Sequence, residues 1–113
     1  MRSVFHPATA EISLAALMHA LSDPTRLAIV AQLAATDGDV CGDIGTELDL
    51  HKSTFSHHYR VLREAGITLT TVEGRNRIVR LRREDLAVRF PGLLDSVLAA
   101  LRRDGLLDAL DDA

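Results

Sequence analysis

A chain of 113 residues with 47% hydrophobic content fits one compact domain, and no stretch is long and apolar enough to span a bilayer. The first nine residues lack the basic start, apolar run and cleavage site of a secretory signal, and a lone cysteine, Cys41, excludes an internal disulfide; both features lead us to expect a cytoplasmic protein. The net charge of −3 argues at first against a nucleic-acid partner.

Residues 11–21 carry Ile12, Leu14, Ala15, Leu17, Met18 and Leu21 with a period near 3.6, which predicts an apolar first helix. Ser22-Asp23-Pro24 starts the second helix, to about Ala35: Asp23 accepts from orphan backbone N–H groups and Pro24 fits the first helical position. Its expected stripe is Leu27, Val30, Ala31 and Ala34 with Leu33 alongside, and Thr36-Asp37-Gly38-Asp39 ends it. Val40, Ile44 and Leu48 mark a short third helix, and Asp49-Leu50-His51 connects it to a longer one over 52–65 that stops at Gly66. Two helices joined by so short a turn form a helix-turn-helix. Strands over 67–73 and 77–82 flank Gly74-Arg75-Asn76 and read as a hairpin, the wing. A brief helical turn after Arg83-Glu84-Asp85 precedes Pro91, which opens a final helix carrying Leu93, Leu94, Val97, Leu98 and Leu101, with Leu106, Leu107 and Leu110 extending it past Gly105. The expected fold is mostly α with a small β-hairpin, in the order α-α-α-α-β-β-α, as one domain over residues 1–113 with loose ends at 1–9 and 108–113.

The charge is segregated. From His51 to Arg83 the chain has eight basic residues, Lys52, Arg60, Arg63, Arg75, Arg77, Arg80, Arg82 and Arg83, against Glu64 and Glu73, a net +6, while the remainder carries −9. Such a patch suits phosphate; the competing reading is a hairpin solvated by its arginines. On the fourth helix Phe55, His58, Tyr59 and Leu62 share the core face. The opposite face holds Ser53, Thr54, Ser56, His57 and Arg60, with Lys52 at the start, and these small polar groups allow close approach to a major groove about 12 Å wide. At the hairpin tip Arg75, Asn76 and Arg77 can reach a neighbouring minor groove or its phosphates. Arg80 and Arg82 are as well placed for solvent or acidic neighbours as for DNA.

Residues 20–30 (Ala-Leu-Ser-Asp-Pro-Thr-Arg-Leu-Ala-Ile-Val), residues 53–67 (Ser-Thr-Phe-Ser-His-His-Tyr-Arg-Val-Leu-Arg-Glu-Ala-Gly-Ile) and residues 73–76 (Glu-Gly-Arg-Asn) resemble the ArsR/SmtB family of bacterial regulators. The resemblance spans roughly Leu14 to Arg83 and implies a winged-helix dimer joined through its first and last helices. It further implies a repressor of transcription, released by a small-molecule, metal or protein effector, on an inverted repeat in double-stranded DNA. The apolar terminal helices suit that assembly, and Leu14, Leu17, Met18, Leu94, Val97, Leu98 and Leu101 are the expected dimer-interface residues.

The departures from the family limit the cofactor. Metal-sensing members resemble Glu-Leu-Cys-Val-Cys-Asp-Leu entering the third helix, whereas residues 38–44 here are Gly-Asp-Val-Cys-Gly-Asp-Ile; Cys41 falls between the two cysteine positions. Residues 91–107 hold no histidine for the family's site on the last helix. No cofactor is therefore expected, and an unconventional zinc or nickel site on His6 and His19 with a partner's carboxylate is the weaker alternative to a mobile terminal His6. No phosphate-binding glycine motif is present, and Ser56-His57, neighbours on a helix, project about 100° apart and form no dyad, so an enzyme is not expected. The remaining alternative is a protein-interaction module that regulates through a partner protein.

Overall fold

The computed structural model describes residues 5–103. A single 3₁₀ turn over Thr9–Glu11 is followed by extended backbone at Ile12, whose side chain is fully buried. Ser13 then accepts a hydrogen bond from the Ala16 N–H through its hydroxyl and starts α1 (Leu14–Ala20). The helix expected from residue 11 is shorter because Ile12 serves the core better from outside it. Asp23 caps α2 (Pro24–Ala34) through the Arg26 N–H, with Pro24 in the first turn as expected. The buried face of α2 is Ile29, Val30, Ala31 and Leu33, joined by Arg26 and Gln32, while Leu27 and Ala34 are half-buried.

Asp39 and Val40 form a short strand, β1 (Asp39–Val40), absent from the sequence reading, which gave Val40 to the next helix. Helix α3 (Cys41–Glu47) leads into α4 (Lys52–Ala65). Asp49 adopts a left-handed φ of 55°, and the Leu50 N–H reaches the Gly45 carbonyl at 2.8 Å while the Asp49 N–H reaches Thr46 at 3.1 Å. Those two bonds close α3 in a Schellman arrangement and turn the chain into α4. Gly66 ends α4 at φ 90°, and a Cβ there would lie 2.6 Å from Ile12 Cγ1, so both conformation and packing require glycine.

Strands β2 (Thr68–Glu73) and β3 (Asn76–Leu81) pair antiparallel from Thr68↔Leu81 to Glu73↔Asn76, and β1 joins the other edge of β3 to give the order β1-β3-β2. The turn is therefore the two residues Gly74-Arg75, with Gly74 at φ 65°, as in a type II′ hairpin; Asn76 belongs to the strand. The brief turn expected after Arg83 is a full helix, α5 (Arg83–Arg89). A turn over Phe90-Pro91-Gly92-Leu93 then delays α6 (Leu93–Arg103), which Pro91 does not open. The arrangement is a winged helix-turn-helix with an added strand and an added helix. The core joins Ile12 and Leu17 to Ile29, Leu33, Ile44, Leu62, Ile67 and Val79, drawing on every layer.

Three of the residues 1–9, expected to form a loose end, make contacts with the rest of the domain. His6 Nε2 accepts from the Thr70 N–H at 2.9 Å, the Pro7 carbonyl accepts from Arg82, and Thr9 Oγ1 donates to Asp85. The tail over 108–113 and the extension through Leu106, Leu107 and Leu110 lie outside the described residues.

Candidate nucleic-acid interface

Helix α4 divides into two faces. Phe55, Tyr59 and Leu62 are buried and His58 is half-buried, so the core face is the one its spacing dictates. Lys52, Ser53, Thr54, Ser56, His57 and Arg60 are all exposed on the rest of the helix. His51 precedes the helix without a side-chain cap, leaving its first backbone N–H groups available to water or to an anion.

The wing is held to this helix by chain continuity through Gly66 and by a buried hydrogen bond of 2.7 Å between the Tyr59 hydroxyl and Thr70 Oγ1. Its tip presents Arg75, Asn76 and Arg77, all exposed. Four cations of the basic third, Lys52, Arg60, Arg75 and Arg77, have no hydrogen-bond or ion-pair partner among the described residues. The other four are engaged. Arg63 lies 5.2 Å from the centroid of the Tyr59 ring, and its buried Nε has no hydrogen-bond partner among the described residues. Arg80 pairs with Glu73 at 2.8 Å and donates to the Asp37 carbonyl. Arg82, buried, donates to Asp85 and to the Pro7 carbonyl, and Arg83 to the Ala34 carbonyl. The patch counted from sequence is thus partly structural: Arg80, Arg82 and Arg83 are bonded within the protein, while Lys52 and Arg60 lie free on α4 and Arg75 and Arg77 at the wing tip.

A helix-turn-helix domain family matches residues 21–72, from the end of α1 to the wing. The chain is 37% identical over 84 residues to the HTH-type transcriptional regulator YceK of Bacillus subtilis, covering 74% of this chain and 84% of that protein. It is 36% identical over 86 residues to the biofilm growth-associated repressor of Agrobacterium fabrum, covering 76% and 72%. Among solved structures, it matches the homodimeric winged helix-turn-helix domain Mb0332 of Mycobacterium bovis, a possible ArsR-family regulator, with a TM-score of 0.63 and 26% identity over 80% of this chain and 82% of that one. The chain belongs to the ArsR/SmtB family of winged helix-turn-helix transcriptional regulators.

In this ArsR-family regulator the residues expected at a dimer interface separate. Leu17, Leu98 and Leu101 are buried in the protomer's own core, where they cannot also present surface. Leu14 and Met18 are 49% and 45% exposed, one turn apart on α1, and Leu94 and Val97 of α6 are half-buried. Leu17 of α1 and Leu21 just beyond it share with Leu93 and Leu94 of α6 the lining of a small apolar cavity. No helix of the described residues is long and apolar enough to cross a membrane. Among the described residues no group of three or more His, Cys, Asp or Glu could hold a metal ion. His6 is placed against the wing, where its Nε2 accepts from the Thr70 N–H. Burial pushes the half-buried Cys41 thiol above its ordinary value, against the pull of Arg77 and Arg63, so Cys41 is a protonated packing group at neutral pH.

Sequence reasoning missed Arg26. Its guanidinium is buried at the junction of three helices, where it meets the last carbonyls of α1 and His58 of α4. The available signal was an arginine at the third position of α2, directly behind its cap, as the one charged residue of an otherwise mostly apolar helix.

Proposed function

We propose that this regulator binds an inverted-repeat operator as a homodimer and represses the promoter it covers. The two α4 helices enter successive major grooves about 34 Å apart, and the wings track the flanking backbone. Lys52, Ser53, Thr54, Ser56, His57 and Arg60 read and grip one groove, and Arg75, Asn76 and Arg77 hold the adjoining phosphates or minor groove. The observation that carries the reading is the set of unpaired, exposed cations, Lys52 and Arg60 on the small-residue face of α4 and Arg75 and Arg77 at the wing tip, while Arg80, Arg82 and Arg83 are bonded within the protein. The homodimeric state of Mb0332 supports a dimer, and the exposure of Leu14 and Met18 on α1 favours assembly through the terminal helices.

The test is fluorescence anisotropy with a duplex taken from the DNA upstream of the coding region, across a salt series. Affinity should fall steeply with salt. Neutralising Arg60, Arg75 and Arg77 to Gln together should weaken binding about 100-fold or more and reduce the salt slope by about five, three cations on each of two protomers at ~0.9 apiece. Unchanged binding by a folded triple variant rejects the reading.

A further inference from the structure

Arg26 is 7% exposed and joins three elements. Its Nε donates to the Ala20 carbonyl at 2.7 Å and Nη2 to the His19 carbonyl at 3.2 Å, the latter shared with the Ser22 hydroxyl, so the guanidinium sits on the last two carbonyls of α1. A cation at a helix C-terminus is also favoured by the helix dipole. Nη1 lies 3.2 Å from His58 Nδ1, on the inner face of α4. A guanidinium can only donate, so Nδ1 accepts, and His58 is held as the neutral tautomer protonated at Nε2. Asp23, at the cap of α2, receives the Arg26 N–H at 3.0 Å and stands 3.9 Å from the same Nδ1.

We infer that the Arg26–His58 clasp is a positioning device: it sets the inclination of α4 against α1, and through the dimer the separation of the two α4 helices. The inference rests on the dimeric operator binding proposed above. The rest of the core around α1 and α4, including Leu17, Ala20, Tyr59 and Leu62, is dominated by apolar contact. Apolar contact is non-directional, so it holds the helices together without choosing their angle, whereas the planar fork of an arginine bonds in fixed directions. The lever is sensitive. Lys52 lies six residues, about 9 Å, from His58 along the helix, and a tilt of about 10° moves it by about 1.6 Å. Two protomers double that to about 3 Å, close to the ~3.4 Å rise of one base pair.

The experiment measures affinity for three duplexes whose half-site centres are 10, 11 and 12 base pairs apart, with dimerisation followed by sedimentation velocity and folding by thermal melting. The unmodified protein should prefer one spacing by about tenfold. His58→Asn, whose Oδ1 replaces Nδ1 as acceptor, should keep that preference. His58→Leu, and Arg26→Lys, whose ammonium cannot bridge the three acceptors, should remain dimeric and flatten it to about threefold or less, with the salt slope unchanged. If Arg26→Lys does not fold, the two His58 variants decide alone. A His58→Leu dimer with the original spacing preference overturns the inference and leaves the proposed function intact. An unmodified chain that stays monomeric or ignores all three duplexes overturns both.

Discussion

Arg75 and Arg77 at the tip of the wing and Arg80 and Arg82 at its base lie within eight residues of one another, yet they meet different surroundings. At the tip both guanidiniums are exposed, and neither has a hydrogen-bond or ion-pair partner among the described residues. At the base, β3 runs beside the loop before β1 and into α5, so Arg80 finds the Asp37 carbonyl and Glu73, while Arg82 finds Asp85 and the Pro7 carbonyl. Charge count cannot separate these groups, because it ignores what each cation already satisfies. The tip cations are available to an external polyanion, and the base cations hold the wing to the domain.

Removing a base cation should therefore damage the fold and spare the DNA contact. The largest effect is expected at Arg82, which is 7% exposed: Arg82→Leu strands the Pro7 carbonyl and one oxygen of Asp85. The expected loss is about 2–3 kcal/mol, a fall in melting temperature of about 10–15 °C, with the salt slope of the folded protein unchanged. A slope lowered by about two for the dimer would instead move Arg82 into the DNA-binding group.

A smaller effect is expected on acidification. Burial holds His58 below its ordinary value of 6.5, with Arg26 and His57 adding to that effect and Asp23 opposing it. The unfolded chain therefore takes up the proton first: stability is full above pH 6.5 and declines as pH falls from there toward the folded value. Asp23, lowered chiefly by its bond from the Arg26 N–H, and Asp85, lowered chiefly by Arg82, give up their contributions only in the acid range below. Thermal melts between pH 7.5 and 5.5 should show a drop that His58→Asn reduces; parallel curves for the two proteins would show that His58 does not titrate in this window. The smallest effect belongs to Arg80→Gln. Its partner Glu73 is exposed, and surface pairs contribute little, so melting should shift by about 3 °C or less and DNA affinity by about twofold or less. A large loss of affinity would show that Arg80 leaves Glu73 for phosphate.

How far each element could be read from the residues follows from how local its causes are. The α2 cap at Asp23, the extent of α4 and its stop at Gly66 were legible because each depends on neighbours a few residues away. The polar face of α4 and the wing tip were legible for the same reason: period and turn chemistry place them outward. Strand β1 was not, since two residues become a strand only because β3 lies alongside. Nor was the true start of α1, set by Ile12 packing against Gly66 more than fifty residues later.

Alone, the order of amino acids determined the helix-turn-helix, the hairpin and the sign of the charge near them, because helical period, capping and turn preference act over a few residues. Tertiary structure decided which arginines are spent inside the protein, which leucines remain on the surface, and that Arg26 meets His58. Those outcomes depend on distances between segments remote in the chain, and such distances exist only once the backbone has folded.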